Sequence, residues 1–545
     1  MSLKFKRFDT KTYTAVFFLL FGLVFVRFCY FGLEYYLQLD DYIQYHNYTA
    51  YSGDLGSLIK DLGLLSSRPL AGICDLFVWS RFYPSMLGAL AIISAMYAAS
   101  GVFLHKVFSS RFGTGWLFFV VYALLPIGFE GTYWISASSR IVVGLFFASL
   151  ALLCFNNWCE KGKKTSLVAY IVLQLAAFCF YEQVVLFSGA ATLVIMLCCV
   201  RTKNRRAFWG FFMFANAAIY FIITKLAPAG VYSARASLMF PWQEGYFENL
   251  FLPAAFQMSE VFFEHNAATL SNGLLRGAKL IISEPNFIYL LLAAGLCTAL
   301  FFLARAVKRS RVRVLPEILA GLLLTVAPLV IFFVLKDPWF GVRNIVTSFC
   351  GIALICDAVF DLIFGRLRKA EIVQGAIVAV LALLCCVASV SELHDYREVT
   401  QADTQLAQAA DKAFKGESFD GTSSIWLLNV DASYVEGASF YYHEHGYGVT
   451  SSDWALTGAV RAISGRGELP MIKPISAHRT EPYVKRSDIE SAKIYFYADG
   501  ELIPVSLIET GEAEWTAADK TGKRLARLKH NENDNLEFYV LSGGA

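Results

Sequence analysis

Asp40 and Asp41 stand side by side in Leu39-Asp40-Asp41-Tyr42, shortly after an apolar run that starts at Tyr13 and ends near Leu33. One carboxylate of such a pair can take a proton from an acceptor hydroxyl while its neighbour holds a divalent cation, Mg or Mn, since hard ions prefer oxygen ligands. The plainer reading is that a loop in water carries charges, and both readings stand at this point. Farther along, Glu130-Gly-Thr-Tyr133-Trp134-Ile-Ser-Ala-Ser-Ser-Arg140 brings a carboxylate, an aromatic pair and an arginine into one short loop. Glu130 is a candidate second acidic or metal ligand. Arg140 adds a cation at the head of the next helix, and Tyr133 and Trp134 fit an interfacial aromatic belt. Glu182, within Tyr181-Glu182-Gln183, is a third acidic candidate and equally suits a satisfied turn.

Three arginines are candidates for binding a phosphate: Arg68, Arg140 and Arg343. Arg68 follows Asp54 to Leu65, where Leu55, Leu58, Ile59, Leu62 and Leu65 have the spacing of a helix lying along a membrane surface. An arginine there also snorkels to bulk headgroups with no chemical role. Arg343 shares Lys336-Asp-Pro-Trp-Phe-Gly-Val-Arg343 with Lys336. Basic residues are disfavoured in short external loops, so a local benefit such as phosphate binding is needed. Arg27 sits inside the first apolar run, and an intramembrane charge is a functional hypothesis by default.

The elements that must position these side chains are membrane helices. Apolar residues make up 56% of the 545 positions and charged residues only 17%, beyond what a soluble globular chain carries. A net charge of +3 is too small to imply a nucleic-acid partner. The twelve cysteines fall mostly in apolar runs and indicate neither a zinc site nor a disulfide framework. The first run has the length of about 20 residues that spans hydrocarbon and lacks a small-residue cleavage site, so it reads as a retained span. Further runs lie near 83–104, 114–129, 140–155, 207–226, 286–304, 315–335, 344–364 and 371–390.

Leu167 to Val200 is too long for one pass. Basic clusters flank it at Lys161, Lys163 and Lys164 and at Arg201, Lys203, Arg205 and Arg206. The positive-inside rule puts both clusters in the cytoplasm, which requires two passes turning at Glu182. The same rule places His105-Lys106 with Arg111, Lys308 through Arg313, and Arg366 through Lys369 inside. The fold expected is an all-α polytopic bundle of about eleven transmembrane helices with a cytoplasmic N-terminus. A transmembrane domain at 1–390 presents external loops at 34–82, 130–139, 181–183, 227–285 and 336–343. Residues 391–545 form a small extracytoplasmic α/β domain, with strand-like runs at Ser424 to Asn429, Ala492 to Tyr497 and Leu536 to Leu541.

An aspartate pair just after the first span, an in-plane amphipathic stretch, an acidic residue in the second external loop and a soluble external tail together resemble the integral-membrane glycosyltransferases of the C-type superfamily. The resemblance covers the arrangement of the whole chain and is closest to bacterial surface-polysaccharide or lipid-glycosylating members. No WWD-like motif of the oligosaccharyltransferases occurs in the tail. It implies a plasma-membrane enzyme that moves a sugar from a polyprenyl-phosphate donor to a glycan or lipid acceptor at the outer face. Asp41 or Asp40 would match the catalytic aspartate, Glu130 the second-loop acidic position, and Arg343 or Arg68 a lipid-phosphate contact. Members that use a metal often carry two acidic residues in the second loop, where this sequence has Glu130 alone. The cytoplasmic loops are too short for a nucleotide-binding glycine loop. A transporter or flippase of lipid-linked sugars, and a non-catalytic membrane assembly protein, are the rival readings.

Overall fold

The computed structural model describes residues 8–48, 55–61, 63–228, 237–306, 313–336, 339–365, 367, 370–431, 448–476, 480–481 and 484–541. Several residues used above lie outside these: Asp54, Leu62, Asp337, Pro338, and the basic positions at 308–312, 366 and 368–369. The chain divides into two units, one formed by Met1–Tyr35 with Asp54–His394, the other by Tyr36–Gly53 with Asp395–Ala545.

The first unit is helical. In chain order its main helices are α1 (Thr10–Val26), α2 (Leu55–Asp61), α3 (Pro69–Phe77), α4 (Leu87–Phe112), α5 (Leu117–Leu124), α6 (Phe129–Tyr133), α7 (Ile135–Lys161), α8 (Lys164–Phe178) and α9 (Glu182–Val200). There follow α10 (Arg205–Leu226), α11 (Leu252–Ser259), α12 (Asn266–Ser283), α13 (Phe287–Ala306), α14 (Val314–Phe333), α15 (Val342–Phe364) and α16 (Ala370–Phe414). Among the described residues eight of these, α4, α7, α9, α10 and α13 through α16, are long and apolar enough to cross a membrane. Two shorter apolar helices, α1 and α8, accompany them.

The differences from the sequence reading have local causes. The run expected at 83–104 continues to Phe112 and stops at Gly113, whose φ of 89° is the left-handed conformation that ends helices. His105 is therefore not in a cytoplasmic connection but buried on α4, where Nδ1 lies 3.3 Å from the Tyr13 hydroxyl. The run expected at 114–129 yields only the short α5, because Pro126 follows directly and has no N–H to continue the ladder. The loop expected at 227–285 contains α11 and α12. The boundary expected at 391 falls inside a single helix, since α16 runs on to Phe414 and passes from one unit to the other at His394.

Tight packing in the first unit is set where glycine replaces bulk. A Cβ on Gly131 would lie 2.7 Å from the Arg343 carbonyl oxygen and 2.8 Å from Val346, so the α6 backbone rests directly on the first turn of α15.

In the second unit a seven-stranded sheet has the order β2-β1-β3-β4-β5-β6-β7. The strands are β1 (Ser424–Leu428), β2 (Met471–Ile475), β3 (Ala492–Ala498), β4 (Glu501–Gly511), β5 (Glu514–Ala518), β6 (Arg524–His530) and β7 (Leu536–Val540). β1 pairs in parallel with β2 and β3, and β3 through β7 form an antiparallel meander. β1 is buried along its whole length, as an apolar run between two parallel neighbours must be. Trp426, Leu428, Phe496, Leu528 and Phe538 meet in the core. α17 (Asp453–Ser464) connects β1 to β2 and returns its side chain to the sheet: the Ile472 N–H donates to the Thr457 hydroxyl at 2.8 Å.

Candidate functional site

The acidic pair belongs to the second unit. The chain reaches it through Leu39, a non-glycine residue at φ 33° and ψ −102°, outside the conformations that L side chains prefer. Such positions cost about 1–3 kcal/mol and persist only when the surroundings fix them. Asp40 then opens a single helical turn, Asp40–Tyr42, that continues as the π-helix Ile43–Asn47. The Gln38 N–H donates to Asp41 Oδ2 at 3.1 Å, and the Asp41 N–H donates to the Gln38 carbonyl at 2.8 Å. Gln38 Nε2 donates to the Tyr396 carbonyl at 3.2 Å and to Thr400 Oγ1 at 2.7 Å, and Thr400 donates to the Leu37 carbonyl at 3.0 Å. Asp41 is buried and Asp40 half-buried. The turn thus carries one carboxylate fixed by local donors and one with access to solvent.

The first unit brings several other candidates together. Arg68 precedes Pro69, which occupies the first turn of α3 where its missing N–H is no loss. From there Arg68 Nε and Nη2 reach the two oxygens of Glu182 at 2.8 and 2.5 Å, while the guanidinium lies 4.6 Å from the Tyr181 ring centre. Burial lowers the Arg68 pKa, but the Glu182 carboxylate raises it by more, so the group is held above its ordinary range. Glu182 is the first residue of α9, where a negative charge suits the helix dipole. The Tyr181 hydroxyl donates to Asn344 Oδ1 at 2.6 Å, tying the start of α9 to the start of α15.

Arg140 lies on the second turn of α7, donates to its own helix at the Ser136 carbonyl and closes an ion pair with Asp75 of α3 at 2.7 Å. Glu130 is fully buried on α6. Arg343 lies over the Trp134 ring, 5.1 Å from its centre, and Trp134 joins α6 to α7. Arg27, next after α1, donates from Nη2 to Thr132 of α6 at 2.7 Å.

Thus Arg68 and Glu182, read separately in the sequence, are partners. Arg140 is paired with Asp75, which the sequence reading passed over; a lone acid inside Ile73-Cys-Asp75-Leu-Phe77 is the signal that a cation must be near. Thr132, Tyr181 and Asn344 were also missed, because ordinary polar residues gain meaning only from the contacts they make. As metal ligands the acids fit unevenly: both Glu182 oxygens already face guanidinium N–H groups. Among the described residues no group of three or more His, Cys, Asp or Glu side chains is placed to hold a metal ion. No known protein family matches the chain, and no curated protein matches it.

Proposed function

We propose that this chain is a plasma-membrane glycosyltransferase, moving a sugar from a polyprenyl-phosphate donor to a glycan or lipid acceptor at the outer face. The observation that carries the reading is the Asp40-Asp41 pair, opening its own helical turn directly behind a strained Leu39. In this reading α1, α8 and the interrupted stretch from α5 through α6 cross together with the eight longer helices, about eleven passes in all, with the N-terminus cytoplasmic and the sheet unit outside. One aspartate takes the proton of the acceptor hydroxyl. The hydroxyl oxygen attacks the anomeric carbon in line, the bond from that carbon to the phosphate oxygen breaks, and the configuration inverts. The polyprenyl phosphate departs with the bonding electrons, and arginine offsets its charge. Arg68 and Arg140 hold helix ends through Glu182 and Asp75. Glu130 takes the second-loop acidic role.

A flippase of lipid-linked sugars is the second reading. The interruption of the chain at Pro126 between α5 and α6, with Arg27 buried beside α6, favours it, since transporters use broken helices and buried charges. Incubating membranes that contain the chain with a radiolabelled polyprenyl-phosphate sugar separates the two. Label leaving the lipid for a glycan or lipid acceptor supports the transferase, and label crossing the bilayer still attached to its lipid supports the flippase.

A further inference from the structure

We infer that the C-terminal unit positions the acidic pair, with Gly458 and Gln38 as its positioning residues. The inference rests on the glycosyltransferase reading for its activity measurement only; its structural part stands alone. The turn Asp40–Asn47 is held from two sides by residues of one unit. On one side Gln38 bridges to Tyr396 and Thr400 of α16, and Thr400 returns a bond to Leu37. This fixes the backbone directly before the strained Leu39, and Asp41 Oδ2 accepts from the same Gln38 through its N–H.

On the other side lies α17. A glycine inside a helix is unfavourable and needs a reason. At Gly458 the reason is contact: a Cβ there would stand 2.8 Å from Ile43 Cγ1 and 3.3 Å from Asn47 Nδ2. α17 is itself seated on the sheet through Thr457, which accepts from the Ile472 N–H of β2 and donates to the Asp453 carbonyl. A continuous path therefore runs from β2 through Thr457 and Gly458 to Ile43, and from Ile43 one turn back to Asp40 and Asp41. The π-helical pitch of Ile43–Asn47 is a rare geometry that such a seat would impose and that often marks functional segments.

The test uses the full-length chain in detergent or native membranes. Gly458→Val should abolish the hydrogen-exchange protection of amides in 40–47 while those of Phe496 and Ala526 in the sheet stay protected. Transfer should fall about 10- to 100-fold in kcat with the KM for the lipid donor unchanged, the scale of a misplaced catalytic group. Adding Ile43→Ala, which makes room for the new side chain, should restore both. Gln38→Ala, which adds no bulk, should loosen 40–47 in the same way and serves if the valine variant fails to fold. Full protection of 40–47 in both Gly458→Val and Gln38→Ala would overturn the inference. A wild-type chain with no transfer would sink the enzymatic reading alone, and the exchange result would still decide the positioning role.

Discussion

Arg68 donates through Nε and Nη2 to both carboxylate oxygens of Glu182, at 2.8 and 2.5 Å, across 114 positions of sequence. The fork geometry matches guanidinium to carboxylate, and the Tyr181 ring covers the guanidinium. The two side chains keep 31% and 28% of their surface, so solvent moderates the pair without dissolving it. Glu182→Gln removes one charge and leaves the other partly buried. We expect a loss of about 1–3 kcal/mol, between the limits for exposed and buried pairs. Thermal unfolding in detergent measures it. An unchanged midpoint would mean that the pair holds nothing in place.

Arg27 gives the opposite expectation. It is 1% exposed; among the described residues its hydrogen-bond partner is Thr132, Nε and Nη1 have none, and the guanidinium otherwise lies over the Phe28 ring, 4.7 Å from its centre. A buried charge so poorly met is costly, and replacing it by an apolar side chain of similar length is neutral or stabilising. Arg27→Met should therefore keep or raise the unfolding temperature, whereas Thr132→Val, which strips the remaining bond, should cost about 1–3 kcal/mol. A large loss in Arg27→Met would show that the guanidinium is needed for stability.

Gly131 is the point where α6 meets α15. Because the nearest atoms to an added Cβ include the Arg343 carbonyl oxygen at 2.7 Å, backbone must move for Gly131→Ala to fit. Overpacking of this kind costs about 1–3 kcal/mol. It should also shift Arg343 from Trp134, read as a change in indole fluorescence, and a variant as stable as the parent with unchanged emission would refute the close approach.

The second unit should lose stability in acid. Glu417 is half-buried, which raises its pKa, but bonds from Lys493 at 3.0 Å and the Tyr495 hydroxyl at 2.8 Å lower it by more, so the folded value lies below the ordinary 4.5. A depressed carboxylate contributes stability above its unfolded value and loses it as pH falls through the folded one. Allowing for solvent screening, the contribution is about 1 kcal/mol or less. Glu417→Gln should be less stable than wild type at pH near neutrality and equal to it once the pH is below the folded value. Exchange protection at Tyr495 and Phe496, compared between the two proteins at each pH, reports this. A constant difference across the range would contradict the assignment.

Much of this architecture was legible in the sequence. Runs of apolar residues announced the eight long helices, and three short strand-like runs announced β1, β3 and β7. β2 was hidden by Pro474, tolerated because β2 is an edge strand. β4 was hidden by Pro504, which lies where β4 pairs with β3 alone and before β5 joins at Ser506. Amphipathic α12 went unseen because hydropathy averages over its two faces. At the candidate site residue types did not reveal which side chains are partners. Glu182 read as a turn carboxylate and Arg68 as a lipid contact, since pairing at such separation is set by packing. That Asp40 and Asp41 group with the C-terminal unit was likewise invisible, because the bonds from Gln38 to Tyr396 and Thr400 join chain segments with no common pattern.

The most direct measurement is transfer of radiolabelled sugar from polyprenyl-phosphate donors in membranes carrying wild type, Asp40→Asn or Asp41→Asn at equal expression. The account predicts transfer by wild type and its loss in at least one variant that inserts normally, which also names the base. Equal transfer in all three would contradict the claim that this acidic pair performs the chemistry.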